Sequence, residues 1–249
     1  MSRVLPAAVA LALTACVTAG IALPPEQATR LERALVGEER FLRVSMYATP
    51  FFEDASKKLL TPVAPELVQL LDDTQGKAIN PGPVEATFPA GTRVKVLKVE
   101  FPSSVVMAER VLYTPRNLAW IYVDVAGVKR GLPYVLVLRP GIKSEDEFST
   151  ELERLITRDD PSARLAAFNE GVREAIRTKS AAVEMPAEAL EMAWGFPEAR
   201  RIELDGTHRK ETWSWAQGAR AAVLVDGVVT EVYPAGRPKD VKADAPKAP

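Results

Sequence analysis

The chain has 249 residues, 47% apolar and 26% charged, a balance that fits a folded protein and excludes a disordered one. Its 32 basic and 33 acidic side chains leave a net charge of −1, so nothing draws the molecule as a whole to nucleic acid or anionic lipid. One cysteine excludes a disulfide framework and one histidine excludes a multi-histidine metal site, so the fold must rest on its own core.

Arg3 places a positive charge ahead of an apolar run from Val4 to Ala12, the arrangement of an export signal. Leu13, Thr14 and Ala15 then lead to Cys16. This resembles the bacterial lipobox, in which Leu and two small residues precede the cysteine. The resemblance implies a signal peptide over 1–15, diacylglycerol on the Cys16 thiol and a further acyl chain on its amine. Each buried methylene contributes roughly 0.8 kcal/mol, so two or three chains hold a protein that one chain holds only marginally. Val17 stands where Asp favours inner-membrane retention in lipoproteins, which implies the outer membrane, facing the periplasm. The same stretch also reads as ordinary signal cleavage after Ala22, or as an uncleaved anchor over Val4 to Leu23. Pro6, Thr14, Thr18 and Gly20 weaken the anchor reading.

Residues 16–40 read as anchor and tether, with a helix offered by Ala28, Leu31 and Leu35 after Pro24-Pro25. Residues 41–140 read as a β domain. Leu42, Val44 and Met46 alternate with Arg43 and Ser45, and 75–89 is a loop rich in Gly and Pro. Val94, Val96, Leu97, Val99 and Phe101 make the clearest strand, whose apolar phase slips at Val96-Leu97 as a β-bulge would make it. Val111 and Tyr113, then Leu118 to Val125, then Tyr134 to Leu138 are further strand-like runs. Short strands between Pro/Gly turns predict a small barrel or sandwich. The order is similar to a bacterial SH3-like module, with the segment Leu59 to Val84 as an insertion.

Residues 141–183 predict a helical connector. Ser144 and Glu147 have capping-box spacing ahead of the stripe Phe148, Leu152, Leu155, Ile156. Asp160-Pro161 starts a second helix with Leu165, Phe168, Val172 and Ile176 on one face.

Residues 184–234 predict a short helix holding Leu190 and Trp194, stopped by Gly195, then four strands broken at Asp205-Gly206, Gln217-Gly218 and Asp226-Gly227. Met185, Gly195-Phe196-Pro197, Trp213-Ser214-Trp215 and Val225-Asp226-Gly227-Val228 resemble the pattern of the SmpA/OmlA outer-membrane lipoprotein family. That resemblance implies a helix on an antiparallel β meander and a role in outer-membrane assembly. Glu184 departs from the Gly usual before the Met, and the large N-terminal addition departs from the compact family pattern. Residues 235–249, rich in Pro, Ala, Lys and Asp, read as a disordered tail.

The expected fold class is therefore α+β. His208 lies beside a turn, no glycine-rich phosphate loop follows a strand, and Asp72-Asp73 and Asp159-Asp160 read as helix ends and loops. These patterns predict no catalytic residue, no metal and no cofactor. Trp120, Tyr122, Trp213 and Trp215 are the candidate partner-binding residues, with core packing as the competing role for each. The expected function is recognition or assembly at the outer membrane, with a lipid-held membrane contact and an envelope protein or peptidoglycan as partner. Glycan binding through the β module and an envelope enzyme of unfamiliar type are the alternatives.

Overall fold

The computed structural model describes residues 23–128 and 131–234. The expected signal peptide, the Cys16 lipidation site and the expected disordered tail lie outside the described residues.

Helix α1 (Pro25–Leu35) begins with proline at its first position, where the missing N–H costs nothing. Leu31 and Leu35 dock it on the main core, so this part of the tether is packed. Next come β1 (Glu39–Leu42), β2 (Met46–Phe51), β3 (Asp54–Thr61), β4 (Ala86–Phe88) and β5 (Arg93–Glu100). Helix α2 (Ser104–Glu109), β6 (Trp120–Val125), β7 (Tyr134–Val137), α3 (Glu145–Leu155) and β8 (Ile156–Thr157) follow. The strands form one sheet in the order β4-β2-β3-β7-β6-β5-β1-β8. Because side chains alternate, Val94, Val96, Ile121, Val123 and Leu136 share one face, and α1 and α3 add Leu35, Phe148 and Leu152 to the same core. The other face carries a smaller cluster of Phe51, Leu59, Trp120 and Val135.

This is a mixed α+β fold, but its large sheet is not the closed SH3-like barrel expected. β4 and β8 end the strand order instead of joining, and β3 meets β7 in parallel. The expected bulge does form: register slips between Val96 and Lys98 and leaves Leu97 exposed. A bulge bends one strand, whereas closure needs the two edges to meet, and here β8 occupies the free side of β1. Val111 to Tyr113 is not a strand. Leu112 and Tyr113 are exposed in a loop, with Tyr113 at a φ of 59°.

The connector is also divided differently. Ser144 caps α3 by accepting the Glu147 N–H, as its spacing predicts. Ile156 leaves the helical stripe and pairs with Leu42. The single second helix expected is two: α4 (Ser162–Ala167) and α5 (Glu170–Thr178). Asp160 accepts the Ser162 N–H, and Asn169 then starts a new helix by accepting the Val172 N–H at 2.9 Å.

The C-terminal unit follows its pattern closely. Helix α6 (Ala187–Trp194) lies on a meander of β9 (Ala199–Asp205), β10 (His208–Trp215), β11 (Arg220–Val225) and β12 (Val228–Tyr233), all antiparallel. Asp226 and Gly227 take φ values of 50° and 81°, as a two-residue primed hairpin turn requires. Trp194 meets Trp215 edge to face at 5.2 Å.

Ser45 joins the units, and each of its polar groups is used. Its N–H donates to the Met192 carbonyl and its hydroxyl to the Ile176 carbonyl. The hydroxyl oxygen accepts the Ala90 N–H, and its carbonyl accepts Lys179 Nζ at 2.6 Å.

Candidate functional site

A cleft of about 620 Å³ opens where the two units meet. Its walls come from the end of β3 and the loop after it (Pro62, Val63, Leu67, Val68), from Val137 at the end of β7 and Arg139 beyond it, and from Glu151, Arg154 and Leu155 of α3. The C-terminal unit supplies Gly195, Phe196, Pro197, Glu198 and Ala216. This volume lies within the usual range for ligand sites, and junctions between units are where such sites recur.

Phe196 is central. Gly195 ends α6 with a φ of 89°, which only glycine takes without strain, and Pro197 prevents the helix from resuming. The ring between them has no local core and reaches across to the main one. The guanidinium of Arg43 lies 5.0 Å from the ring centroid and that of Arg154 lies 5.2 Å from it. Such cation–π contacts contribute about 0.5–1 kcal/mol each at partly exposed sites. Glu151 is held by Arg139 at 3.0 Å and sits 3.8 Å from Arg154, so two cations share one carboxylate on this wall.

The mouth is latched and strained. Gln217 Nε2 donates to Gln69 Oε1 at 2.8 Å, spanning the two units, and the Gln217 N–H donates to Glu198. Ala216 and Gln217 have φ values of 48° and 55° in succession. For residues carrying a Cβ, each such conformation costs about 1–2 kcal/mol. Apolar walls, paired charges and amide latches can hold a ligand by shape and hydrogen bonds.

The tryptophans predicted as binding residues are packing residues in this structure. Trp120, Trp213 and Trp215 are 1%, 3% and 7% exposed. Trp213 donates to Glu211 and Trp215 to the Gly195 carbonyl, so both indoles sit under α6 with their N–H groups satisfied. Trp120 and Tyr122 do share the second face of the large sheet, as alternation predicts. No open aromatic groove results there. The Arg110 guanidinium lies 3.6 Å above the Trp120 ring, with Lys57 at 5.7 Å. Arg110 also donates to the carbonyls of Glu100, Arg116 and Leu118, tying the β5–β6 connection to the sheet. Burial, then the hydrogen bond to Glu100, pushes the Tyr122 hydroxyl well above its ordinary pKa and keeps it protonated. Burial alone would raise Glu100, but hydrogen bonds from Tyr122 and Lys98 and the charge of Arg110 outweigh it and lower its pKa.

His208 Nδ1 lies 2.6 Å from Asp226 Oδ2 at the hairpin ends, away from the cleft. Phe196, Arg43 and Arg154 are what sequence reasoning missed. One signal was present: an aromatic between a helix-stopping Gly and a Pro has no local partner and must pack elsewhere. Among the described residues no group of acidic, His or Cys side chains is placed to hold a metal, and no helix is long and apolar enough to cross a membrane.

Comparison with known proteins returned nothing: no family model, no curated protein and no solved structure matches this chain.

Proposed function

We propose that the chain is a lipid-anchored bacterial envelope protein that works by recognition or assembly, without turnover. The observation that carries this reading is Leu13-Thr14-Ala15-Cys16 directly after a charged start and an apolar run. Acylation there places the folded units at a membrane surface, and Val17 favours the outer membrane. The resemblance of Met185, Gly195-Phe196-Pro197, Trp213-Ser214-Trp215 and Val225-Asp226-Gly227-Val228 to the SmpA/OmlA lipoprotein pattern supports the same reading.

Recognition is assigned to the cleft around Phe196. The tryptophans are occupied in the cores, whereas the cleft combines an apolar lining with Arg139, Arg154 and Glu151 at its wall. An extended envelope-protein segment with apolar side chains fits this lining.

Mass spectrometry of protein from its native host tests the anchor. A diacylglyceryl, N-acylated Cys16 as the first residue is expected, and an unmodified thiol at Cys16 overturns the reading. Affinity purification of the intact protein tests the cleft. Copurifying envelope proteins should be lost from a Phe196→Ala chain that remains folded by circular dichroism. Unchanged capture would remove the cleft from the account.

A further inference from the structure

Strand β9 is an edge of the C-terminal sheet and stands bare. Ile202 is 52% and Leu204 81% exposed. Yet the register sets Arg200 beside Trp213, Ile202 beside Glu211 and Leu204 beside Arg209, so all three lie on the face that α6 covers elsewhere. Helix α6 reaches as far as Arg200, which pairs with Glu191 and stacks 4.2 Å from Trp213. Beyond that point two large apolar side chains face solvent on an edge strand, a placement that natural sheets avoid or cover.

Among the described residues no hydrogen bond reaches the outer backbone groups of Arg200, Ile202 or Leu204. Arg209 gives its N–H to Asp226 Oδ1 and accepts the Asp226 N–H on its carbonyl, both on the β11 side. It therefore bonds nothing of Leu204, which faces it across the hairpin. Antiparallel alternation then turns the N–H and C=O of Arg200, Ile202 and Leu204 away from the sheet.

We propose that this edge pairs with β9 of a second copy of the chain, antiparallel and centred on Ile202. The segment Arg200-Arg201-Ile202-Glu203-Leu204 is complementary to itself in that direction. Arg201 falls opposite Glu203 of the other copy, twice over. Ile202 meets Ile202, and Leu204 meets the aliphatic stem of Arg200. The outward groups of Arg200, Ile202 and Leu204 are the ones such a pairing hydrogen-bonds. Centring on Arg201 or Glu203 instead would keep the backbone groups in phase but set Arg201 against Arg201 or Glu203 against Glu203. Arg201 and Glu203 already pair within the strand at 2.9 Å while half exposed, so each can add a partner without leaving the first. A pairing of about five residues buries less than the ~800 Å² per partner of a standard interface, so the dimer is weak and forms where copies are concentrated. The proposal does not depend on the anchor or the cleft.

Sedimentation of the full chain over a range of concentrations should show a monomer–dimer equilibrium. Arg201→Glu should weaken it about tenfold, and adding Glu203→Arg should restore it, because opposed charges are recovered in both copies. A chain that stays monomeric up to about 1 mM, an Arg201→Glu chain that dimerises as before, or a double variant that does not recover would each overturn the proposal. A second measurement uses geometry. In a Cys16→Ser chain, Ile202→Cys should form a dimeric disulfide under mild oxidation at least about tenfold faster than a Glu66→Cys control. Facing residues of a bonded pair lie about 5.5 Å apart, within disulfide reach. Equal rates, or capture of a foreign peptide on β9 by a chain that stays monomeric, would also overturn it.

Discussion

At Lys179 an ammonium-bearing side chain is buried between the two units. Its Nζ donates to the carbonyls of Ser45 and Ala193 at 2.6 and 2.8 Å and lies 4.9 Å from the Tyr47 ring. Burial, helped by the charge of Arg220, holds its pKa down to about 7 from an ordinary 10.5. The unfolded chain therefore binds more protons than the folded one between those values, and stability rises with pH across that window. The gain is on the order of a few kcal/mol. Urea unfolding at pH 7 and pH 10 should show it, and Lys179→Met should flatten the difference; an equal rise in both proteins would remove Lys179 as its source. Ser45 is the other residue on which the junction turns. Ser45→Val leaves the Ala90 N–H without its partner and the Ile176 carbonyl with only the longer bond from the Lys179 N–H at 3.3 Å. A loss of about 2–3 kcal/mol is expected in the same assay. Neither residue announced itself: a serine in an alternating run and a lysine after a helix are ordinary surface patterns until distant segments close over them.

Helices and hairpins were the most legible elements. Ser144 before α3, the glycine after α6 and Asp226-Gly227 between β11 and β12 each act over a few residues, and each is found as its pattern predicts. The break between α4 and α5 was missed because Leu165, Phe168, Val172 and Ile176 keep helical spacing across it. Asn169 was the available sign, since Asn competes for backbone N–H groups and favours a helix start. Asn169→Ala should cost about 1 kcal/mol in urea unfolding, comparable to Ser144→Ala at the head of α3. A neutral Asn169→Ala would mean that packing of Val172 and Ile176 alone sets where α5 begins.

For the molecule as a whole, the two units share the Ser45 and Lys179 bonds and the Phe196 bridge, so they should unfold together. In a chain retaining only Trp120, and in one retaining only the C-terminal tryptophans, with Phe at the other sites, the fluorescence midpoint in urea should coincide with that chain's own circular-dichroism midpoint. Two separate midpoints within either chain would show that the junction does not couple the units. The amino-acid order by itself determined the alternation that makes each strand, the caps and the tight turns. It also placed Trp120 and Tyr122 on one face and Ile121 and Val123 on the other. Only the tertiary structure decided that β3 lies parallel to β7, that β8 borders β1 so that no barrel closes, and that Phe196 reaches across a cleft. The reason is range. Caps, turns and alternation are settled by atoms a few residues apart, whereas strand partners and clefts are settled by which distant segments bury one another's apolar surface.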